Sequence, residues 1–186
     1  MSDYSNIFSI PKILSGLEKY TVIKKSKYFP NYYDFDDVDI LCLDHDKFIR
    51  NLVFNISQNS RHPVKIEINE KRHNTHVDVW PVASTRLNLR FDVYRSFPYL
   101  KFKVDESYFL NVVRESKLHE YEGYGVYEPK QLDDFIVRFF EWIEHPNKEH
   151  HLESAKEGYS KFDNFIDVLQ QNTNIQDKSL QLLREK

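Results

Sequence analysis

Glycine is scarce in this chain, with 4 among 186 residues, and proline contributes 7. So few breakers exclude a collagen-like or glycine-rich repeat and argue against long disordered stretches. There is a single cysteine, Cys42, which excludes an internal disulfide and a cysteine-built zinc centre. Its place in an apolar run reads as a small buried side chain rather than a nucleophile. Neither sign of charge dominates. The formal net charge is -3, which gives no general attraction for nucleic acid, so nucleic acid is not an expected partner. The basic runs Lys24-Lys25-Ser26-Lys27 and Lys71-Arg72-His73 are too short to change that. No apolar run reaches the roughly 18 residues of a membrane span, and none has the form of a signal peptide. A cytoplasmic protein with no membrane partner is expected.

Aromatic residues are abundant: 14 Phe and 12 Tyr help bring them to 15% of the chain. Large rings bury much area each, so an aromatic-rich core is expected, in a chain long enough for one full domain. Residues 7–19 read as a short helix entered near Pro11, and Tyr20–Lys24 as a first strand. A loop over 25–36 leads to a strand at Asp37–Leu43. Asp44 can cap the following helix, which carries Phe48, Leu52, Val53 and Ile56 on one side and ends near Asn59. Three alternating segments then read as strands: 64–68, 75–80 and 87–94. They are separated by turns at 69–74 and 81–86.

The second half is helical in character. Segments 107–116, 132–143 and 153–170 are amphipathic, and 124–127 is a short strand among them. Asp133 and Asp134 suit the first turn of the 132–143 helix, where the helix dipole favours acids. This order predicts an α+β fold, a mixed sheet packed against helices with a helical C-terminal part. One early helix cannot cover both faces of such a sheet, so C-terminal helices must cover the rest. The units read as an α/β core over 1–105, a helical region over 106–171 and a polar tail over 172–186. A homo-oligomer is left open.

The chemistry concentrates in Asp34-Phe35-Asp36-Asp37-Val38-Asp39-Ile40-Leu41. Alternate residues of a strand face the same way, so Asp37 and Asp39 share one side while Val38 and Ile40 take the other. Two adjacent carboxylates repel unless a cation lies between them, and oxygen ligands of this kind suit magnesium. Asp34 and Asp36 are explained by turn chemistry alone. Asp39 sits inside an apolar segment, where an unpaired carboxylate costs several kcal/mol. Asp78, between Val77 and Val79, poses the same question. Asp92 poses it too, although Arg90, two residues away on the same face, is expected to neutralise it. His76 shares a strand face with Asp78 and is a candidate hydrogen-bond partner in the site. His145, His150 and His151 lack the spacing of a zinc set and read as solvated residues of a helix connection.

The run Tyr20-Thr21-Val22-Ile23-Lys24-Lys25…Phe29-Pro30…Asp37-Val38-Asp39-Ile40-Leu41 resembles the start of the nucleotidyltransferase-fold superfamily. The nearer likeness is to small bacterial members associated with cell-surface polysaccharide genes. His-Val-Asp-Val-Trp, Leu-Arg-Phe-Asp-Val-Tyr and Asp-Asp-Phe-Ile-Val-Arg continue it in order, over roughly residues 18–152. The resemblance implies Mg2+ or Mn2+ held by Asp37, Asp39 and Asp78. It also implies a nucleoside triphosphate as donor and a small-molecule acceptor, such as a surface-polysaccharide precursor. In such chemistry an acceptor hydroxyl attacks the α-phosphorus, with Asp78 able to accept its proton, and pyrophosphate leaves. Lys25 and Ser26 become candidates to hold the nucleotide, and Arg90, Arg95 and Lys101 to neutralise pyrophosphate. One departure stands out. The superfamily commonly places a glycine turn ahead of the acid pair, and residues 25–36 contain no glycine. The alternative is therefore a catalytically silent member of the fold, acting as a binding or regulatory module.

Overall fold

The computed structural model describes residues 7–82 and 84–184. Residue 83, in the expected 81–86 turn, and the extreme ends of the first unit and of the tail lie outside the described residues. The centre is a five-stranded mixed sheet in the order β1-β2-β5-β4-β3. Its strands are β1 (Tyr20–Ile23), β2 (Asp36–Cys42), β3 (Val64–Glu70), β4 (Asn74–Pro81) and β5 (Leu89–Tyr94). The β2–β5 pair is parallel and the others are antiparallel.

Strict alternation sorts the side chains between two faces. Val38, Ile40, Val77, Val79, Leu89, Phe91 and Val93 join one core with α1 (Ile10–Leu14) and α2 (His45–Asn59). Asp44 caps α2 as expected, accepting from the Lys47 N–H at 3.3 Å. Ile23 and Leu41 face the other way, into a second core built by the C-terminal helices. These are α3 (Glu106–Arg114), α4 (Gln131–Glu144), α5 (Glu149–Lys161), α6 (Phe165–Asn172) and α7 (Asp177–Arg184). Phe97, Tyr99, Phe102 and Phe140 pack there as a ring cluster, with centroids 5.1–5.8 Å apart. The expected α+β architecture, with helices of the C-terminal half closing the second face, is the one observed.

Several local readings are corrected. A strand β6 (Lys117–Tyr121) pairs with β7 (Tyr124–Glu128) as a hairpin. Glu122 and Gly123, both at positive φ, form its turn, a backbone shape that matches the twist of paired strands. The helix read over 153–170 is two helices, α5 and α6, with α5 starting four residues earlier than the sequence suggested. The polar tail carries α7, whose Leu180 and Leu183 are buried in the second core.

Candidate active site

The acids stand on the sheet face that looks toward α4 and α5. Asp39 lies directly beside Asp92 across the parallel β2–β5 pair, and Asp37 lies beside Arg90. On the next strand His76 lies opposite Asp92, and Asp78 opposite Arg90. Asp37, Asp39, Asp92 and Tyr94 form the floor of a cleft of ≈ 750 Å³. Lys24, Lys25, Ser26 and Lys27 line it from the loop after β1, and Arg138, Glu141, Lys148, His150 and His151 line it from α4 and α5.

The register decides which acid Arg90 neutralises. Its Nε donates to Asp78 Oδ1 at 2.7 Å and its Nη2 to Asp78 Oδ2 at 3.3 Å, while Asn69 Nδ2 adds a third donor at 3.3 Å. Arg90 Nε stands 4.0 Å from Asp92 Oδ1. The salt bridge expected for Asp92 is present only as this looser contact, and the close pair is with Asp78, because a direct cross-strand partner is nearer than a residue two places along the same strand. Asp78 is buried, with both oxygens hydrogen-bonded, and lies outside the cleft lining. Asp92 is left in the cleft. Its Oδ1 is buried without a hydrogen bond, and His76 Nε2 is 3.6 Å away. His76 thus faces Asp92 rather than Asp78. Burial, and then Asp39 and Asp37, push the Asp92 carboxyl up to about 7. Burial and Asp39 likewise raise Asp37.

Lys24 answers part of this negative charge. Its Nζ lies 3.0 Å from Asp39 Oδ1 and 3.3 Å from Glu141 Oε2. Burial alone would lower its pKa, but Asp39, Tyr94 and Glu141 together hold the ammonium well above its ordinary range. Glu141 also accepts from Lys148 Nζ at 2.8 Å. Burial would raise this carboxyl, yet Lys24 and Lys148 take it down to about 2. Lys24 has φ 50, the left-handed region glycine enters freely and other residues seldom do. Its N–H donates to Asp134 Oδ1 at 2.9 Å. A lysine thus holds a glycine-like bend at the mouth of the glycine-free connection.

The remaining sequence candidates divide between cleft and scaffold. Lys25 and Ser26 line the cleft. Lys25 is partly committed to Glu128 and to Tyr121 Oη on the β6–β7 hairpin, and Ser26 Oγ accepts from the Tyr28 N–H at 3.2 Å. Arg95 donates to the Lys71 carbonyl at 2.9 Å, outside the lining. Lys101 donates to the Ile143 and Glu144 carbonyls at the end of α4, a C-terminal capping role. Arg138 bridges Asp134 and the Lys25 carbonyl. Sequence reasoning missed Glu141 and the buried His151. Glu141 did leave a signal, being a lone acid among Phe139, Phe140, Trp142 and Ile143.

Among the described residues, no group of three or more His, Cys, Asp or Glu side chains is already arranged to hold a metal ion. The charges nonetheless fit a cation. Three carboxyls share one face with a single buried ammonium among them, and one carboxyl oxygen is orphaned. Among the described residues, too, no helix is long and apolar enough to cross a membrane.

No protein-family model matches the sequence, and no curated protein matches it. Two solved structures show a loose likeness. One is an H. pylori protein provisionally assigned as a nucleotidyltransferase, 13% identical, covering 84% of this chain and 74% of its own, at TM-score 0.40. The other is JHP933 from Helicobacter pylori, 14% identical, covering 93% of this chain and 84% of its own, at TM-score 0.41. At those scores the chemistry of the cleft has to be judged from its own geometry.

Proposed function

We propose that the protein transfers a nucleotidyl group from a nucleoside triphosphate to a small-molecule acceptor, with Mg2+ or Mn2+ held by Asp37, Asp39 and Asp92. The observation that carries this reading is the acid floor of the cleft. Asp37, Asp39 and Asp92 share one sheet face and lie across from a wall rich in lysine, arginine and histidine. Asp92 takes the place of Asp78 as the third acid because Arg90 and Asn69 already engage both oxygens of Asp78, which lies outside the cleft lining. When bound, a divalent cation would polarise the phosphate and lower the pKa of a coordinated hydroxyl.

The chain's own residues bind and orient. Lys25 and Ser26 at the rim suit phosphate oxygens, Lys25 as a point charge. Lys24 pairs with Asp39 at 3.0 Å and holds its side chain at the cleft floor. The acceptor hydroxyl oxygen attacks the α-phosphorus, the bond to the bridging oxygen of the β-phosphate breaks and pyrophosphate leaves, while Asp92, in place of Asp78, takes the hydroxyl proton. The sequence resemblance suggests a surface-polysaccharide precursor as acceptor.

A second reading has its own support. Lys24 Nζ already supplies a positive charge 3.0 Å from Asp39, as a silent, metal-free binding module would need. One experiment separates the two. Each nucleoside triphosphate is titrated calorimetrically with Mg2+, then Mn2+, into the wild type and into the Asp37→Asn/Asp39→Asn variant. The transfer reading expects metal-dependent binding by the wild type that the variant loses. A folded wild type that binds no nucleotide with either metal rejects it in favour of the silent module.

A further inference from the structure

Lys148, His150 and His151 enter the cleft wall from the start of α5, and the transfer chemistry above gives none of them an individual role. α5 is 13 residues long, and no side chain caps its N-terminus. A lysine stands at its N-cap, where an acceptor such as Asp or Ser is normally preferred. The first turn of a helix carries partial positive charge and spare N–H donors. Its one acid, Glu149, is exposed and lies outside the cleft lining.

His151 is the independent observation. It is 6% exposed and lines the cleft, and its Nδ1 is buried with no hydrogen-bond partner. Buried polar nitrogens are normally satisfied, so an orphan in a cleft wall marks a place where a ligand completes the set. Burial, and then His150, Lys24 and Arg138, push its imidazole down to about 3. Burial disfavours charge of either sign, but the cationic neighbours Lys24 and Arg138 in that set favour an anion.

We infer that the start of α5, with Lys148, His150 and His151, is a phosphoryl-anion subsite on the wall facing the acids. The backbone N–H of His151 already donates to the Lys148 carbonyl at 3.0 Å. The ammonium, the two imidazoles and the amides ahead of it still offer more donors than the two oxygens of a carboxylate can use, and they suit the three oxygens of a phosphoryl group. Glu141 holds Lys148 in place until such an anion arrives. The transfer reading says only whose phosphoryl group it is: the donor's polyphosphate or a phosphate on the acceptor. The subsite itself stands on the wall geometry.

The test is calorimetric titration of pyrophosphate into the full chain with a chelator present. Wild type, Lys148→Gln/His150→Gln, His151→Gln and Asp37→Asn/Asp39→Asn are compared. Lys148 and His150 are exposed, so their double variant keeps the test meaningful if His151→Gln fails to fold. The subsite predicts binding by the wild type, at least tenfold weaker in the Lys148/His150 and folded His151 variants, and no weaker when the acid pair is changed. No binding by folded wild type, or unchanged affinity in Lys148→Gln/His150→Gln, overturns it. Displacement of a bound nucleoside triphosphate by pyrophosphate assigns the subsite to the donor. Glucose 1-phosphate binding alongside the nucleotide, and lost in the same variants, assigns it to the acceptor. Pyrophosphate binding through these residues without any nucleotide turnover would reject the transfer reading and leave the subsite standing. Transfer unaffected by Lys148→Gln/His150→Gln would do the reverse.

Discussion

Asp92→Asn should make the metal-free protein more stable at neutral pH, even though it deletes a charged group from a buried face. The folded carboxyl titrates near 7, raised from an ordinary 3.8 by burial and by Asp39 and Asp37. Between those values the native state holds a proton that the unfolded chain releases, so stability falls as pH rises through the window. A shift of about three units corresponds to about 4 kcal/mol at roughly 1.36 kcal/mol per unit. The residual 13% exposure of the side chain and the loss of its approach to His76 reduce this to about 2 kcal/mol as a working figure. Urea denaturation with a chelator should therefore show Asp92→Asn about 2 kcal/mol more stable than wild type at pH 7.5. The two should be indistinguishable at pH 4, where both carry an uncharged group. Asp78→Asn supplies the contrast. It strips the Arg90 guanidinium of its bidentate partner and should cost about 1–3 kcal/mol at pH 7.5. An Asp92→Asn protein equal to or weaker than wild type at pH 7.5 would refute the idea that burial and the neighbouring acids set the state of this site.

Lys24→Met removes the buried cation between Asp39 and Glu141 and should cost about 3 kcal/mol at pH 7. Added Mg2+ should recover part of that loss in a thermal scan if a metal can take the same charge-neutralising position. Gly158→Ala would place a Cβ 2.5 Å from Phe135 Cβ. Both neighbours are held, by helix backbone and by core packing, so the variant should lose about 1–3 kcal/mol in urea denaturation.

The acid pair was legible because β2 alternates strictly: Val38 and Ile40 had to face a core, which fixed Asp37 and Asp39 on the opposite side. The partner of Arg90 was not legible. Within its own strand Asp92 is the only acid at a spacing of two, and Asp78 becomes its neighbour only through the β4–β5 register, which no local pattern states. The start of α5 was hidden for a related reason. Lys148 offers no capping side chain, so a helix beginning there leaves no boundary mark, and His151 looked solvated because its burial depends on where α5 docks. The hairpin strand β6 reads as polar, since Lys117, His119 and Glu120 are all exposed. The turn at Gly123, between two tyrosines, was the one available cue.

The parallel pairing of β2 with β5 also orders events during synthesis. Asp37 and Asp39 leave the ribosome well before Asp92, with α2, β3 and β4 made in between. Glu141 and the histidines of α5 come later still. The floor of the cleft thus gathers its negative charge before the wall that answers it exists. Until then Lys24, made first of all these groups, is a counter-charge the nascent site carries with it.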